Sequence, residues 1–430
     1  MKYRPEEIER LDKQMVWHPF TQMQDYLREQ NLIIERGEGC YLIDIYGKKY
    51  IDGVSSLWVN IHGHGHPKLK ASLKDQVDRL CHATLLGQST LPSTLFAKKL
   101  LEFVPENLTK VFFSDNGATS VEIALKMAYQ YFRNLEDKNL KFKKRRRFVN
   151  LANAYHGDTL GSVSIGGIEL FHAVFKDLVF EPLTIQNFSV EQAEQIFKQQ
   201  GEEIVACVVE PMIQGAAGMR LMPNNFLSFL RKLCDRYGVF LICDEVATGF
   251  GRTGKMFAIE HEGVKPDFLC LAKGITGGYL PLAATLTTES VFQAFCGDYR
   301  DFKTFFHGHS YTGNPLACAA ALANLQIFEE EQVLTHLQPK IKFLTEALIK
   351  FQKHPHVKEV RQLGFMVGIE LDSYPIEQKM GHQVVLAARK RGIIIRPLGN
   401  TLVLMPPLAI DLPTLQMLVQ GVYDAMDEVT

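Results

Sequence analysis

The chemistry open to this chain starts with two side chains of opposite charge. Lys273 ends the apolar run "FLCLA" and precedes the glycine-rich "GITGG", and Asp244 ends another apolar run, "VFLIC". Desolvation against an apolar wall lowers a lysine pKa, and the neutral amine is a nucleophile that forms a Schiff base with an aldehyde. A lone lysine at a strand end is more readily a surface residue. A carboxylate at the end of a second strand makes a paired site the better reading.

A third part is an anion seat. In "SDNGATSVEIALKMAYQYF" a strand gives way at Gly117 and Ala118 to a strongly periodic helix, with Thr119 and Glu122 at capping-box spacing to mark its start. Unpaired N–H groups and the helix dipole at such a start favour a phosphate. Amine, carboxylate and anion-binding helix are the parts pyridoxal phosphate requires: an imine for its aldehyde, a partner for its ring nitrogen and a hold on its phosphate. Tyr155, in "NAYHGD", could cover one ring face or simply pack in the core.

These groups need a scaffold that delivers them to one edge. Five short apolar runs predict buried strands: Val111–Phe113, Phe148–Leu151, Val205–Val209, Val239–Cys243 and Phe268–Leu271. Their hydrophobicity is continuous rather than alternating, as in strands covered on both faces. Helical patterns lie between them, among them Val121, Ala124, Leu125, Ala128 and Phe132. The alternation predicts an α/β fold with a mostly parallel central sheet. In such a sheet ligands bind beyond the carboxyl ends of the strands, which here present Gly117, Tyr155, Glu210, Asp244 and Lys273. Beyond residue 312 the texture changes. An alanine-rich helix, Pro315–Phe328, is followed by short strands near Phe365–Leu371, Ile393–Arg396 and Leu402–Leu404 and a last helix, which predicts a smaller C-terminal α+β domain.

Three features invite other readings. "GFGRTG" has the G-x-G-x-x-G spacing of a dinucleotide turn, but Asp244 and Glu245 stand where a pyrophosphate would lie and no convincing helix follows. "HGHGHP" alternates His62, His64 and His66, yet its glycines and Pro67 indicate a loop and no carboxylate or cysteine accompanies them, so no metal is expected. "KFKKRRR", Lys141 to Arg147, is the basis of a nucleic-acid-binding alternative, against which stands its direct run into a strand, the place of a solvated connector. The composition agrees with an enzyme of small molecules: 47 basic and 48 acidic residues leave no field to attract nucleic acid or membrane. No apolar run reaches the length of a membrane span, the start is charged, and the eight cysteines include no C-x-x-C pair, so a cytoplasmic location is expected.

With these residues in place, the sequence resembles the class III aminotransferases over nearly its whole length. The discriminating stretches are "DEVATGFGRTGKMFA" and "DFLCLAKGITGGYLP". The resemblance implies the fold type I of pyridoxal-phosphate-dependent transferases, a homodimer with active sites at the subunit interface, and a structural role for the glycine-rich turn. It implies an N-terminal segment over residues 1–60 that packs with the small domain, a large cofactor-binding domain over 61–311 and the small domain over 312–430. "WHPFTQM", "DGVSSLWVNIHGHGHP", "NAYHGDTLGSVS" and "FFHGHSYTGNP" narrow it to the branch that aminates 8-amino-7-oxononanoate in biotin synthesis.

By that resemblance Lys273 is the imine lysine, Asp244 the ring-nitrogen partner, Tyr155 the stacking residue, and Gly117 and Ala118 phosphate donors. His309 and Ser310 would reach the phosphate in the neighbouring subunit. Asp158 would support the site, Gly308 and Trp58 would line the substrate pocket, and Arg396 in "GIIIRPLG" would clamp a substrate carboxylate through its guanidinium fork. Val403 in "TLVLMPP" replaces the arginine of ornithine- and GABA-using relatives, which argues against a glutamate-like substrate. Phe20 and Leu57 stand where the best-known S-adenosylmethionine-using enzymes have tyrosine and tryptophan. S-Adenosylmethionine is the expected donor and lysine the alternative.

Overall fold

Apolar runs that are buried at every position can be stable only between two covering layers, and Ile204–Val209 is such a run. Ile204, Cys207 and Val209 join one core cluster while Val205, Ala206 and Val208 join another, so the sheet is packed on both faces. The structure, a computed structural model, describes residues 4–430. Its central sheet has seven strands, in the order Leu108–Ser114, Ala283–Thr288, Phe268–Leu271, Phe240–Asp244, Ile204–Val209, Arg147–Leu151, Leu183–Ile185. All five expected strands are present, and the four from Phe268–Leu271 to Arg147–Leu151 run parallel.

Two strands were not expected. Leu183–Ile185 is a three-residue edge too short to show a period. Ala283–Thr288 inserts antiparallel between Leu108–Ser114 and Phe268–Leu271. Its sequence "AATLTT" hides it, because buried Thr285 and Thr287 take a core strand's place by bonding the Ser120 and Asp267 carbonyls.

The helix after the first strand spans Gly117–Leu135, and its start departs from the expected capping box. Asn116 is the cap, its side chain accepting from the Thr119 N–H at 3.0 Å, while the Thr119 hydroxyl donates to the Asn116 carbonyl. Glu122 turns away to accept from the Thr159 hydroxyl at 2.7 Å. An asparagine one residue before the glycine thus starts the helix three residues earlier than the Thr119–Glu122 spacing implies.

The C-terminal residues form an antiparallel sheet of Val357–Leu363, Met366–Leu371, Thr401–Leu404 and Arg396–Leu398. The run expected as one strand over Ile393–Arg396 divides at Ile395. Ile393–Ile394 pairs with Lys49–Asp52 in a sheet completed by Ile34–Glu38 and Tyr41–Asp44, and Arg396 begins the other strand. The first residues of the chain also meet this region, with Asp25 at 2.5 Å from Lys379 and Glu29 at 2.8 Å from His382.

Candidate active site

Beyond the carboxyl ends of the parallel strands lies a cavity of about 760 Å³ lined by Gly117, Ala118, Tyr155, Asp158, Asp244 and Lys273, with Trp58 and Glu210 beside them. Asp244 is the last residue of its strand and nearly fully buried. One carboxylate oxygen lies 2.7 Å from His156 Nδ1 and the other accepts the Val246 N–H at 3.0 Å. Burial alone would lower the His156 pKa, but the Asp244 carboxylate outweighs it and the net shift is upward. The hydrogen bond between the imidazole and the carboxylate fixes the orientation of both.

Glu210 lies behind this pair. Its two oxygens accept the Tyr155 and Gly215 N–H groups, each at 3.0 Å, and burial with the Asp244 charge nearby pushes its pKa up to about 7. It therefore ties the tyrosine turn to the loop on the other side of the cavity. Sequence reasoning placed Glu210 at a strand end without a role and gave none to His156. Their position after strand ends was the available signal, and only the fold shows that both touch the Asp244–Tyr155 unit.

Lys273 takes a left-handed backbone conformation, φ +46°, which non-glycine residues adopt rarely and usually at functional sites. Its Nζ lies 4.6 Å from the centroid of the Trp58 ring. Burial lowers its pKa to about 8, against the opposing pull of Asp244 and Glu210. At neutral pH a useful fraction of the amine is then free to act as a nucleophile. Trp58 itself ends a strained stretch, with positive φ at Ser55, Ser56 and Trp58. The Asp52 carboxylate accepts the Ser56 N–H at 2.8 Å and the Ser55 hydroxyl donates to the Met405 carbonyl at 2.7 Å, which hold the turn.

The helix start fits an anion. The N–H groups of Gly117 and Ala118 point along the helix axis without an acceptor among the described residues. Gly117 must be glycine, because a Cβ there would stand 2.5 Å from Val246, and a Cβ at Gly157 would collide with Ala118. These two approaches bring the helix start, the turn after Asp244 and the tyrosine turn together. Tyr155 donates to Asp158 at 2.8 Å, and burial and that carboxylate raise its pKa well above the usual phenol range.

At the mouth, Phe171 stands edge-on to Tyr155, with centroids 6.2 Å apart, and to Phe20, at 5.8 Å. The His172 ring lies nearly parallel to Tyr155. Phe171 and His172 carried no signal in the sequence beyond their type. Arg396 is half-buried and lies close enough to Tyr155 to feel its charge; burial lowers its pKa, and it has no ion-pair partner among the described residues. Leu57 is exposed beside Trp58, whereas Val403 is buried in the cluster beneath Trp58. Gly308, His309 and Ser310 do not line the cavity of their own chain. His309 Nε2 approaches Asp115 only to 3.9 Å, and the Ser310 carbonyl meets His82 Nε2 at 2.8 Å.

Side chains of the chain itself occupy the glycine-rich turn. Glu245 points away from the cavity and accepts from Ala258, Ile259 and Thr248. Arg252 fills the turn, fully buried, and donates to the Pro406 and Asn60 carbonyls at 2.7 and 2.8 Å. The three histidines reach different partners: His62 meets Asn324, His64 meets Asp52 and His66 meets Glu331. In the basic run, Arg145 is buried and donates to the Gly201, Ile204 and Tyr237 carbonyls, Arg147 bonds Gln200 and Lys144 pairs with Glu202. Arg145 and Arg147 are therefore directed into the fold, while Lys141, Lys143, Lys144 and Arg146 are exposed.

Comparison with known proteins identifies the architecture. The family described as aminotransferase class-III matches residues 24–426. The adenosylmethionine-8-amino-7-oxononanoate aminotransferase of Aquifex aeolicus is 52% identical, over 95% of this chain and 94% of its own. The crystal structure of the protein of that name from Methanocaldococcus jannaschii superposes with a TM-score of 0.96 at 46% identity, covering 99% of each chain. An amine transaminase from an uncultivated Pseudomonas species, solved in its PLP-bound form, superposes with a TM-score of 0.88 at 33% identity, over 97% of this chain and 99% of its own.

Proposed function

This chain belongs to the class III aminotransferases, a pyridoxal-phosphate-dependent family, and from that premise we propose that it aminates the ketone of 8-amino-7-oxononanoate in biotin synthesis, with S-adenosylmethionine as donor. What carries this reading is a near-full-length identity of 52% to a relative named for that acceptor and donor. Lysine as donor is not favoured, since the names of the relatives at 45–52% identity carry adenosylmethionine.

Bound in the cavity, pyridoxal phosphate supplies an electron sink for the pair left when the amine-bearing carbon loses its proton. The residues present fit it. Lys273 would hold the aldehyde carbon and, once displaced by a substrate amine, carry the proton; its lowered pKa suits both tasks. Asp244, oriented by its hydrogen bond with His156, would face the ring nitrogen, and the N–H groups of Gly117 and Ala118, which have no acceptor among the described residues, would take the phosphate. Tyr155, fixed by Asp158 and by the Glu210 bond to its backbone, would cover the ring. Arg396, without an ion-pair partner among the described residues, would bind a substrate carboxylate, with Phe20, Leu57 and Trp58 shaping the approach.

The active unit in this reading is a homodimer. Support comes from Gly308, His309 and Ser310, which leave their own cavity unlined while the adjoining Phe306 and Tyr311 are exposed aromatics that a second subunit would cover. All eight cysteines are unpaired, as in a reducing cytoplasm, and no helix of the described residues is long and apolar enough to cross a membrane.

The test is to mix the purified yellow protein separately with S-adenosylmethionine and with lysine, then add 8-amino-7-oxononanoate. S-Adenosylmethionine should bleach the cofactor band and the oxo acid restore it. Bleaching by lysine alone would overturn the donor assignment, and no recovery with the oxo acid would overturn the acceptor.

A further inference from the structure

The turn that carries Lys273 is gripped by two side chains outside the cavity lining. Asn324, fully buried on the helix Pro315–Glu330, donates from Nδ2 to the Gly274 carbonyl at 3.0 Å and to the Ile275 carbonyl at 3.1 Å. With both amide hydrogens engaged, Oδ1 is left as an acceptor, and His62 Nε2 lies 2.8 Å from it. This fixes the tautomer: His62 must carry its proton on Nε2. Burial agrees, lowering the His62 pKa to about 3, so the ring is neutral.

The turn has little freedom elsewhere. A Cβ at Gly274 would stand 2.9 Å from Phe250, one at Gly277 would stand 3.1 Å from Asn324 Oδ1, and one at Gly278 would press on the Asn60 backbone at 2.8 Å. Within it Lys273 holds a left-handed conformation that persists only where its surroundings over-determine it. The carbonyls of the next two residues are the groups that Asn324 fixes.

We propose that Asn324 and His62 are positioning residues for Lys273, a neutral imidazole and a buried amide that set where the amine stands in the cavity. The proposal rests on the reading of Lys273 as the lysine that binds the cofactor. A structural stitch between the helix and the turn would leave catalysis unchanged once the protein is folded. A positioning role would not.

The test compares Asn324→Leu, which deletes all three bonds at similar volume, with His62→Leu and with His62→Gln, whose amide keeps a donor for Asn324. Each variant is measured for thermal midpoint, for kcat and KM as holoenzyme, and for the rate at which the apoprotein takes up pyridoxal phosphate into its covalent yellow form. Misplacing a reacting group by about 1 Å can cost on the order of 10²-fold, so Asn324→Leu should slow both covalent uptake and kcat by about that factor, with KM within about twofold. His62→Leu should lose about tenfold and His62→Gln should stay within about threefold of the parent, being the conservative rescue. A folded Asn324→Leu with parental kcat and uptake rate overturns the proposal, whatever its thermal midpoint. Should that variant fail to fold, equal kcat in His62→Leu and His62→Gln overturns it instead. Borohydride trapping of the parent holoenzyme and peptide mapping separates the two readings. A label away from Lys273 sinks the site assignment, whereas a label on Lys273 with unaffected variants sinks this inference alone.

Discussion

The Asp244 carboxylate and the His156 imidazole face each other at 2.7 Å, both buried, with the histidine pKa raised by the contact. The pair fixes the orientation of the carboxylate that lines the cavity. Asp244→Asn keeps the hydrogen-bonding shape but leaves His156 to burial, which neutralises it. The variant should fold normally, with proton abstraction slowed by about 10- to 100-fold in single-turnover experiments, the equivalent of a charge-assisted bond of roughly 1.5–3 kcal/mol lost at the ring nitrogen. Unchanged kinetics would remove Asp244 from the mechanism.

Lys273→Ala should give a protein without the visible band of the lysine-bound cofactor and with almost no turnover. In the parent, an amine with a pKa of about 8 should make covalent uptake of pyridoxal phosphate by the apoprotein rise with pH through about 8 rather than near the ordinary lysine value. An uptake profile that climbs only above pH 10 would contradict the buried environment assigned to the amine.

Arg396→Ala should raise the KM for 8-amino-7-oxononanoate by about 10- to 100-fold, the equivalent of a charge-assisted bond of roughly 1.5–3 kcal/mol. The amino donor is the control in the same kinetic runs. An equal rise in its KM would argue against a clamp for the acceptor's carboxylate.

Glu245 is fully buried and its pKa is pushed up to about 7 by burial, so the native state binds a proton more tightly than the unfolded chain does. That contribution to stability is complete below the unfolded value of 4.5 and is lost as pH rises through about 7. Denaturant titrations of the apoprotein should show this loss between those limits, and in Glu245→Gln the slope should be reduced. A parallel pH dependence in the two proteins would refute the assignment.

Arg145→Met leaves the Gly201, Ile204 and Tyr237 carbonyls without their donor. Each such buried group costs roughly 1–3 kcal/mol, so the thermal midpoint should fall clearly. Affinity for a nucleic acid, measured at low and high salt, should be unchanged and weak. A salt-sensitive affinity that disappears in the variant would revive the basic run as a binding surface.

The strands that end in Asp244 and Lys273 were legible because a run buried on both faces must be continuously apolar and a polar group at its end is conspicuous. The Gly117 helix was legible from its period, but its first residue was not, since Asn116 and Thr119 both have capping side chains and only geometry selects between them. Ala283–Thr288 was missed because threonines bonded to carbonyls can occupy a core strand that composition reads as polar. Glu210, His156, Asn324 and His62 act across large separations in sequence, and neither period nor spacing records which strand end meets which helix.

Asp244 and Glu245 are chain neighbours with opposite destinations, one facing the cavity and the other closing the turn at Ala258. Successive residues at a strand end project to opposite sides, so inserting or deleting one apolar residue in Phe240–Asp244 would exchange the sides of the two acids while leaving the charge intact. The alignment of this strand with Ile204–Val209 and Phe268–Leu271 thus decides which acid faces the cavity. A single-residue indel there should cost activity that no point substitution within the cavity could restore.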